Sequence, residues 1–469
     1  MIKIFVSGHR AGTPLSEIVH AFTNEKIELT DNRKDADVIS IYDGEKIITQ
    51  ACGVYGENAV MPSKIRNEKQ RIGDAAKLGY YLLAKEIYGR ELPWGIITGI
   101  RPKKLVEEFA SAGEMTEFKT RFRVSDKKIS LSEMTDKAQR LIKTQINNDS
   151  VCVYIGIPFC PTRCQYCSFV SLPMGKQKQL IEPYVICLIK EMEMTAKLIQ
   201  NSGKTVDAIY IGGGTPTSLD EGLFSEVVYA AGKYFNSVSL KEFTVEAGRA
   251  DTITKNKLIA AQKSGMTRIC INPQTMNNDV LRSIGRNHTA EDFEKVFQMA
   301  RQLGINHINT DLIAGLPGET EEMFESSLNR LLKLNPDGVT VHTMCVKRAA
   351  DLKTAEYKTY DAEKMVDYSF DKLTLVGYMP YYLYRQKDTL SCLENTGFAF
   401  PGKESFYNVF MMEDIGTVIG VGAGSVTKIR TEGANRFRRV YNFKNPSEYI
   451  TDFDEILARK KIMFCNQPE

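Results

Sequence analysis

The chain has 469 residues, 43% hydrophobic and 25% charged, with a formal net charge of +3. That composition is ordinary for a soluble globular protein with a sizeable core, and so small a charge gives no basis for nucleic-acid or membrane-surface binding. No stretch reaches the ~18 consecutive apolar residues of a membrane span, and the apolar run in "MIKIFVSGHRAGTP" is too short for a secretory signal, so a cytoplasmic location is expected.

At roughly 150 residues per domain the length suggests about three domains. The first residues read as a strand, and "DADVISIYDGEKIITQACG" (35–53) reads as a β-hairpin turning at Asp-Gly. An amphipathic helix is expected over 64–89, leading into a segment with Trp94, the single tryptophan. These features make an N-terminal α/β domain at 1–125, followed by a charged helical linker at 126–148. Next, strands are expected at 151–159, 206–214, 242–248, 267–275, 305–315 and 338–344, each separated from the next by a helical pattern. Six strands alternating with helices imply parallel βα units that curl into a barrel or part of one, over 149–350. The remainder, 351–469, is expected to hold a helix at 362–377, a turn region "GTVIGVGAG" (416–424) and a closing helix near 446–461.

The stretch "YIGIPFCPTRCQYCSF" (154–169) places Cys160, Cys164 and Cys167 within eight positions, where the first barrel strand gives way to its helix. Ten cysteines scattered over this length would produce roughly 0.005 such spacings, so the trio is not compositional noise. Clustered thiols in a cytoplasmic chain favour metal binding or catalysis over disulfides. Structural zinc asks for four ligands, and no second pair or nearby histidine follows, the next being His288. A four-iron cluster normally takes one thiolate per iron, so three thiolates leave one iron open to a small ligand. Zinc stays as the alternative.

Other strand ends carry polar residues. "IGGGTPT" (211–217) sets three glycines where backbone can approach a ligand, or where a tight turn is all that is needed. Glu246, Gln274 and Asp311 fall on successive strands, as hydrogen-bonding partners for an amino group and ribose hydroxyls, or as caps and ion-pair partners. Arg286 is a candidate carboxylate partner or a solvated surface arginine.

The ordered set "YIGIPFCPTRCQYC", "GGGTPT", "VEAG", "INPQT", "IGRNHT" and "DLIAGLPGET" resembles the oxygen-independent coproporphyrinogen III oxidase family of radical S-adenosylmethionine (SAM) enzymes. Stretches at 91–106, 341–350 and 380–402 are similar to its longer coproporphyrinogen dehydrogenase (HemZ) branch. The resemblance implies an α/β fold: a (β/α)6 partial TIM barrel between the N-terminal α/β domain and a C-terminal α+β domain. It implies that Cys160, Cys164 and Cys167 ligate a [4Fe-4S] cluster and that Tyr154 and Tyr166 flank SAM. Gly213, Gly214 and Thr215 would lie against its methionine moiety, with Glu246, Gln274, Arg286 and Asp311 as side-chain contacts and Cys345 as a backbone contact near adenine. The implied reaction is one-electron cleavage of SAM, hydrogen abstraction from a propionate, and loss of carbon dioxide and an electron to leave a vinyl group. The substrate would be a tetrapyrrole, and a flavodoxin or ferredoxin would donate electrons.

Two departures bear on the substrate. Family members known for this decarboxylation carry a further cysteine where this chain has Phe169, and phenylalanine there is typical of related heme chaperones. The H-N-x-x-Y-W motif of those chaperones is replaced by "YNVFMM" (407–412). Lys347, Arg348 and Arg385, with Lys387 and the aromatic "PYYLY" (380–384), are candidate contacts for substrate carboxylates and the flat macrocycle. The sequence therefore supports a coproporphyrinogen oxidase, with a heme-trafficking protein or a radical enzyme acting on heme as alternatives.

Overall fold

A computed structural model describes residues 1–23, 25–167, 171–345, 361–386, 389–430 and 437–465. Contacts divide the chain into two units, Met1–Lys137 with Leu383–Asn395, and Ala138–Tyr382 with Thr396–Glu469.

The first unit begins with β1 (Ile2–Ser7), α1 (Gly12–Thr23), β2 (Ile27–Thr30), β3 (Val38–Tyr42), β4 (Lys46–Ala51) and β5 (Val54–Ala59). Their sheet runs β2-β1-β3-β4-β5. The hairpin expected at Asp-Gly is β3–β4, paired antiparallel, with Gly44 at φ 109°. Across the sheet lies α2 (Glu68–Tyr88), started by a capping box between Asn67 and Gln70 and ended by Gly89 at φ 63°. Helices α3 (Pro102–Ser111), α4 (Met115–Phe122) and α5 (Asp126–Thr144) follow. Phe109, Phe118 and Phe122 pack ring on ring between α3 and α4. Trp94 is buried, its indole N–H donating to Glu394 at 2.6 Å, and Lys128 neutralises that carboxylate at 2.8 Å.

The second unit is built on β6 (Ser150–Ile157), which runs on into a two-residue ladder, β7 (Phe159–Cys160) with β8 (Leu172–Pro173). Then come α6 (Lys178–Asn201), β9 (Thr205–Gly213), α7 (Glu221–Phe235), β10 (Glu242–Gly248), α8 (Lys255–Lys263), β11 (Arg268–Ile271), α9 (Asn278–Ser283), α10 (Ala290–Gln302), β12 (Ile308–Ala314), α11 (Glu321–Leu332) and β13 (Gly338–Thr343). Strands β6, β9, β10, β11, β12 and β13 are neighbours in that order, all parallel, as right-handed crossovers require. The first and last do not pair with one another, so this is a partial barrel, as expected.

After α12 (Ala362–Leu375) come β14 (Met379–Arg385), β15 (Glu394–Ala399), α13 (Phe406–Met412), β16 (Thr417–Val421), β17 (Val426–Arg430), β18 (Phe437–Tyr441), α14 (Pro446–Thr451) and α15 (Phe453–Cys465). These strands extend the same sheet: β15 runs antiparallel to β13, and β16 runs parallel to β6. Residues 396–469 thus share a unit with the barrel instead of standing apart, which differs from the division expected at 350/351. The "turn region" at 416–424 holds β16. This strand lies between β6, to which it runs parallel, and β17, to which it runs antiparallel; a strand so buried reads as a short apolar run, and its glycines are the misleading signal. A Cβ at Gly420 would lie 2.8 Å from the Val426 backbone, so here glycine serves close packing of β16 on β17.

A buried ionic knot fixes this addition. Glu191 of α6, fully buried, accepts from Lys460 Nζ (2.8 Å), Asn442 Nδ2 (2.8 Å), the Gly422 amide (2.7 Å) and Tyr449 OH (2.5 Å). Tyr184, also on α6, receives the Ala423 amide at 2.9 Å and donates to the Gly156 carbonyl at 2.6 Å, tying the knot to the strand that leads into the cysteines. Among the described residues no helix is long and apolar enough to cross a membrane.

Candidate active site

The three cysteines follow the carboxyl end of β6, the end at which α/β barrels carry their chemistry. Cys160 and Cys164 are buried and Cys167 is partly exposed. The Cys167 amide bonds the Cys164 carbonyl at 3.0 Å, which turns the chain back on itself. Two arginines hold this loop from outside. Arg249 Nη1 donates to Thr162 Oγ1 at 2.8 Å while its other nitrogens engage Asp251, and Arg286 Nη2 donates to Tyr166 OH at 2.9 Å. Arg286 is buried, and its Nη1 donates to the carbonyls of Asn272 (2.7 Å) and Gly248 (3.2 Å). It is therefore not a solvated arginine; it locks the cysteine loop onto the ends of β10 and β11. Burial pushes the Cys160 thiol up, and the hydroxyls of Thr215 and Ser171 and the charge of Arg249 act against that.

The glycine run is explained by the same loop. The Gly214 and Thr215 amides donate to the carbonyls of Ile157 (2.7 Å) and Phe159 (2.8 Å), and Thr215 Oγ1 lies 3.4 Å from Cys160 Sγ. A Cβ on Gly214 would stand 2.5 Å from the Phe159 carbonyl and 2.9 Å from that sulfur. Gly213 has φ 110°. Glycine is required here because backbone meets the cysteine strand, whatever else binds.

In five of the six barrel strands burial is interrupted inside the strand, while β11 is buried throughout. Tyr154 on β6, Tyr210 on β9, Glu246 on β10, Asp311 on β12 and His342 on β13 are half-buried in otherwise buried interiors. They form one row. The Tyr154 and Tyr210 rings stack at 6.2 Å, Tyr210 OH donates to Glu246, and Asp311 lies 3.4 Å from His342 Nε2. Asn272 Nδ2 donates to the other Glu246 oxygen at 2.6 Å, and Asn309 Nδ2 to Asp311 at 2.9 Å. Burial first, then the Asp311 charge, raise the Glu246 carboxyl to about 7, with Tyr210 and Asn272 holding it from going higher. Gln274 closes the row at φ 70°, its backbone amide on the Asp311 carbonyl at 2.9 Å and its buried Oε1 with no hydrogen-bond partner among the described residues. Cys345 follows β13.

The expected residues that come together are thus Cys160 with Gly214 and Thr215, Tyr166 with Arg286, and Tyr154, Glu246, Gln274 and Asp311 along one row. Arg385 belongs to the first unit, where it is buried and its Nη1 donates to the Ile97 carbonyl at 2.5 Å. Phe169, Lys347, Arg348 and Lys387 lie outside the described residues. The sequence reading missed Tyr210, Asn272 and Arg249. Tyr210 had a signal, because "YIG" occurs at 154–156 and again at 210–212, and the two copies pair in register.

Residues 154–331 match the Radical SAM superfamily. A Bacillus subtilis (strain 168) protein named oxygen-independent coproporphyrinogen-III oxidase-like protein HemZ is 38% identical over 391 residues, 80% of this chain and 77% of that protein. The chain belongs to the HemN/HemZ-like radical SAM family. Heme chaperone HemW of the same bacterium is 35% identical over 195 residues, 41% of this chain and 50% of the chaperone. Among solved structures, coproporphyrinogen III oxidase (HemN) from Escherichia coli, a radical SAM enzyme, aligns with a TM-score of 0.51 and 23% identity. That match covers 68% of this chain and 72% of HemN, and it concerns the fold.

The cofactors of this family are a [4Fe-4S] cluster and SAM. The residues present fit them. Cys160, Cys164 and Cys167 offer thiolates for three of a cluster's four irons, and the fourth is left for a small ligand. The unsatisfied Gln274 Oε1 and the half-buried row supply acceptors for a polar ligand next to them.

Proposed function

We propose that the chain is a radical SAM enzyme that converts propionates of coproporphyrinogen III to vinyl groups without oxygen, giving protoporphyrinogen IX. The observation that carries the reading is the half-buried polar row in the middle and carboxyl halves of five barrel strands, the first of which leads into the loop of three thiols. When bound, the cluster and SAM supply one-electron cleavage of the sulfonium and, from it, a hydrogen-abstracting nucleoside radical.

Cys160, Cys164 and Cys167 are the cluster ligands in this reading. Arg249 and Arg286 hold their loop, and the Arg249 charge opposes the burial that raises the Cys160 thiol. Glu246 and Asp311 accept hydrogen bonds from the amino and ribose groups of SAM, and Gln274 Oε1 gains the partner it lacks. Tyr154 gives the ligand an aromatic wall, Tyr166 is steadied by Arg286, and the Gly213–Thr215 backbone approaches the methionine end. Cys345, after β13, is the adenine-side contact. Each propionate gives up one hydrogen atom, one carbon dioxide and one electron as its double bond forms. A one-electron acceptor is therefore needed besides a flavodoxin- or ferredoxin-type donor, with Lys347 and Arg348 as partners for the substrate carboxylates.

A second reading, heme trafficking, is favoured by the likeness to HemW and by phenylalanine at position 169. The two separate on 5′-deoxyadenosine release from the anaerobically reconstituted protein. Coproporphyrinogen-dependent release that disappears in Cys164→Ala supports the enzyme. Stable heme binding with no tetrapyrrole-dependent release in the native protein supports trafficking.

A further inference from the structure

In the first unit, the chain from Trp94 to α3 passes through "GIITGIRPKK" (95–104), a stretch that the proposed chemistry leaves unused. Arg385 fixes this segment, its side chain on the Ile97 carbonyl at 2.5 Å and its amide on the Ile100 carbonyl at 2.8 Å. Helix α3 then starts with Pro102 in its first turn, and the preceding Arg101 makes no side-chain cap.

Between this segment and α2 lies a cavity of about 310 Å³, lined by Arg66, Lys77, Thr98, Arg101, Lys104 and Glu108 among others. Its charges are unequal. Asp74, buried beneath it, is shared by Arg66 (3.0 Å) and Lys77 (3.3 Å), and Glu108 is the acidic side chain on the wall against four cations. Glu17 acts on Lys77 more weakly than Asp74 does. Lys77 is more than nine-tenths buried, and burial holds its ammonium below the usual range. A buried ammonium that shares one carboxylate with a guanidinium gains from a further anion, because desolvation is offset only by opposite charge. Phe122 closes another side, with Arg66 over its ring at 5.8 Å.

We propose that this cavity binds a compact oxyanion, a phosphoryl or carboxylate group on a small molecule. The volume is at the lower end of small-molecule sites, roughly 300–1,000 Å³, which suits a compact anion and not a macrocycle. Lysine and arginine together accept either group, the guanidinium as a planar fork and the ammonium as a point charge. Its lining residues all belong to the first unit and include none assigned to cluster or SAM, so its test needs neither.

Titration calorimetry on the full chain at low ionic strength, with pyrophosphate and with tricarballylate as probes, decides it. One-to-one binding of at least one probe is expected, weakening with added salt. Pyrophosphate alone points to a phosphoryl source, and tricarballylate alone to a carboxylate source. Arg101→Ala and Lys104→Ala should each weaken binding about tenfold. Glu108→Gln removes the opposing charge and should tighten binding about threefold, a gain that misfolding does not mimic. No binding of either probe up to about 10 mM, or affinities unchanged in all three variants, overturns the proposal.

Discussion

Removing one hydroxyl from the barrel row should shift the pH at which the SAM site works. Tyr210 donates to one oxygen of Glu246 and Asn272 to the other, in a pocket where burial and the Asp311 charge have raised the carboxyl from 4.5 to about 7. Tyr210→Phe keeps the ring and its 4.6 Å stack on Tyr407 but deletes the donor. A hydrogen bond to a charged group contributes about 1.5–3 kcal/mol, and one pKa unit corresponds to about 1.4 kcal/mol. The carboxyl should therefore rise by about one to two units beyond its value near 7. The sign is definite: a folded-state value above the ordinary one means that ionising Glu246 takes stability away as pH climbs from 4.5 toward 7, and the variant extends that window upward. If the ionised form accepts hydrogen bonds from SAM, affinity in the native protein falls as pH drops through about 7, and in the variant the fall begins at higher pH. Equilibrium SAM binding across pH, on reconstituted protein, measures both midpoints. A midpoint unchanged or lowered in the variant, or binding independent of pH, would refute the reasoning.

Gly214→Ala should lower iron and sulfide incorporation several-fold while the fold persists, because the added Cβ meets the Phe159 carbonyl and Cys160 Sγ; native cluster content in this variant would contradict the packing account. Lys460→Met should destabilise by about 3–5 kcal/mol, since it leaves the Glu191 carboxylate buried without its cation. Denaturant unfolding reads this directly, and a loss below about 0.5 kcal/mol would show that the knot is not a strong constraint.

Much of the barrel was legible because buried parallel strands and amphipathic helices leave local patterns, and the cysteine spacing is local too. What was not legible depends on partners distant in sequence. Glu191 and Lys460 are an ordinary glutamate and lysine until α6 and α15 meet. Arg286 carries no sign of its buried bonds to Tyr166 and Asn272. "GTVIGVGAG" reads as a turn because its glycines are taken for flexibility, whereas Gly420 is small so that β17 can approach. Arg385 sits in a tyrosine-rich run that suggests a substrate rim, yet it is buried and its Nη1 donates to the Ile97 carbonyl. Tyr210 repeats the "YIG" of Tyr154, and only strand register shows the two rings side by side.

Product analysis decides whether the chain decarboxylates coproporphyrinogen. The protein, reconstituted anaerobically and given a reductant, SAM, a one-electron acceptor and coproporphyrinogen III, is followed by mass spectrometry of nucleoside and porphyrin products. Vinyl-bearing products are expected, with 5′-deoxyadenosine formed in step with each propionate lost, despite phenylalanine at position 169. Deoxyadenosine formed while every propionate survives would contradict the decarboxylation and move the chemistry to another tetrapyrrole, heme first.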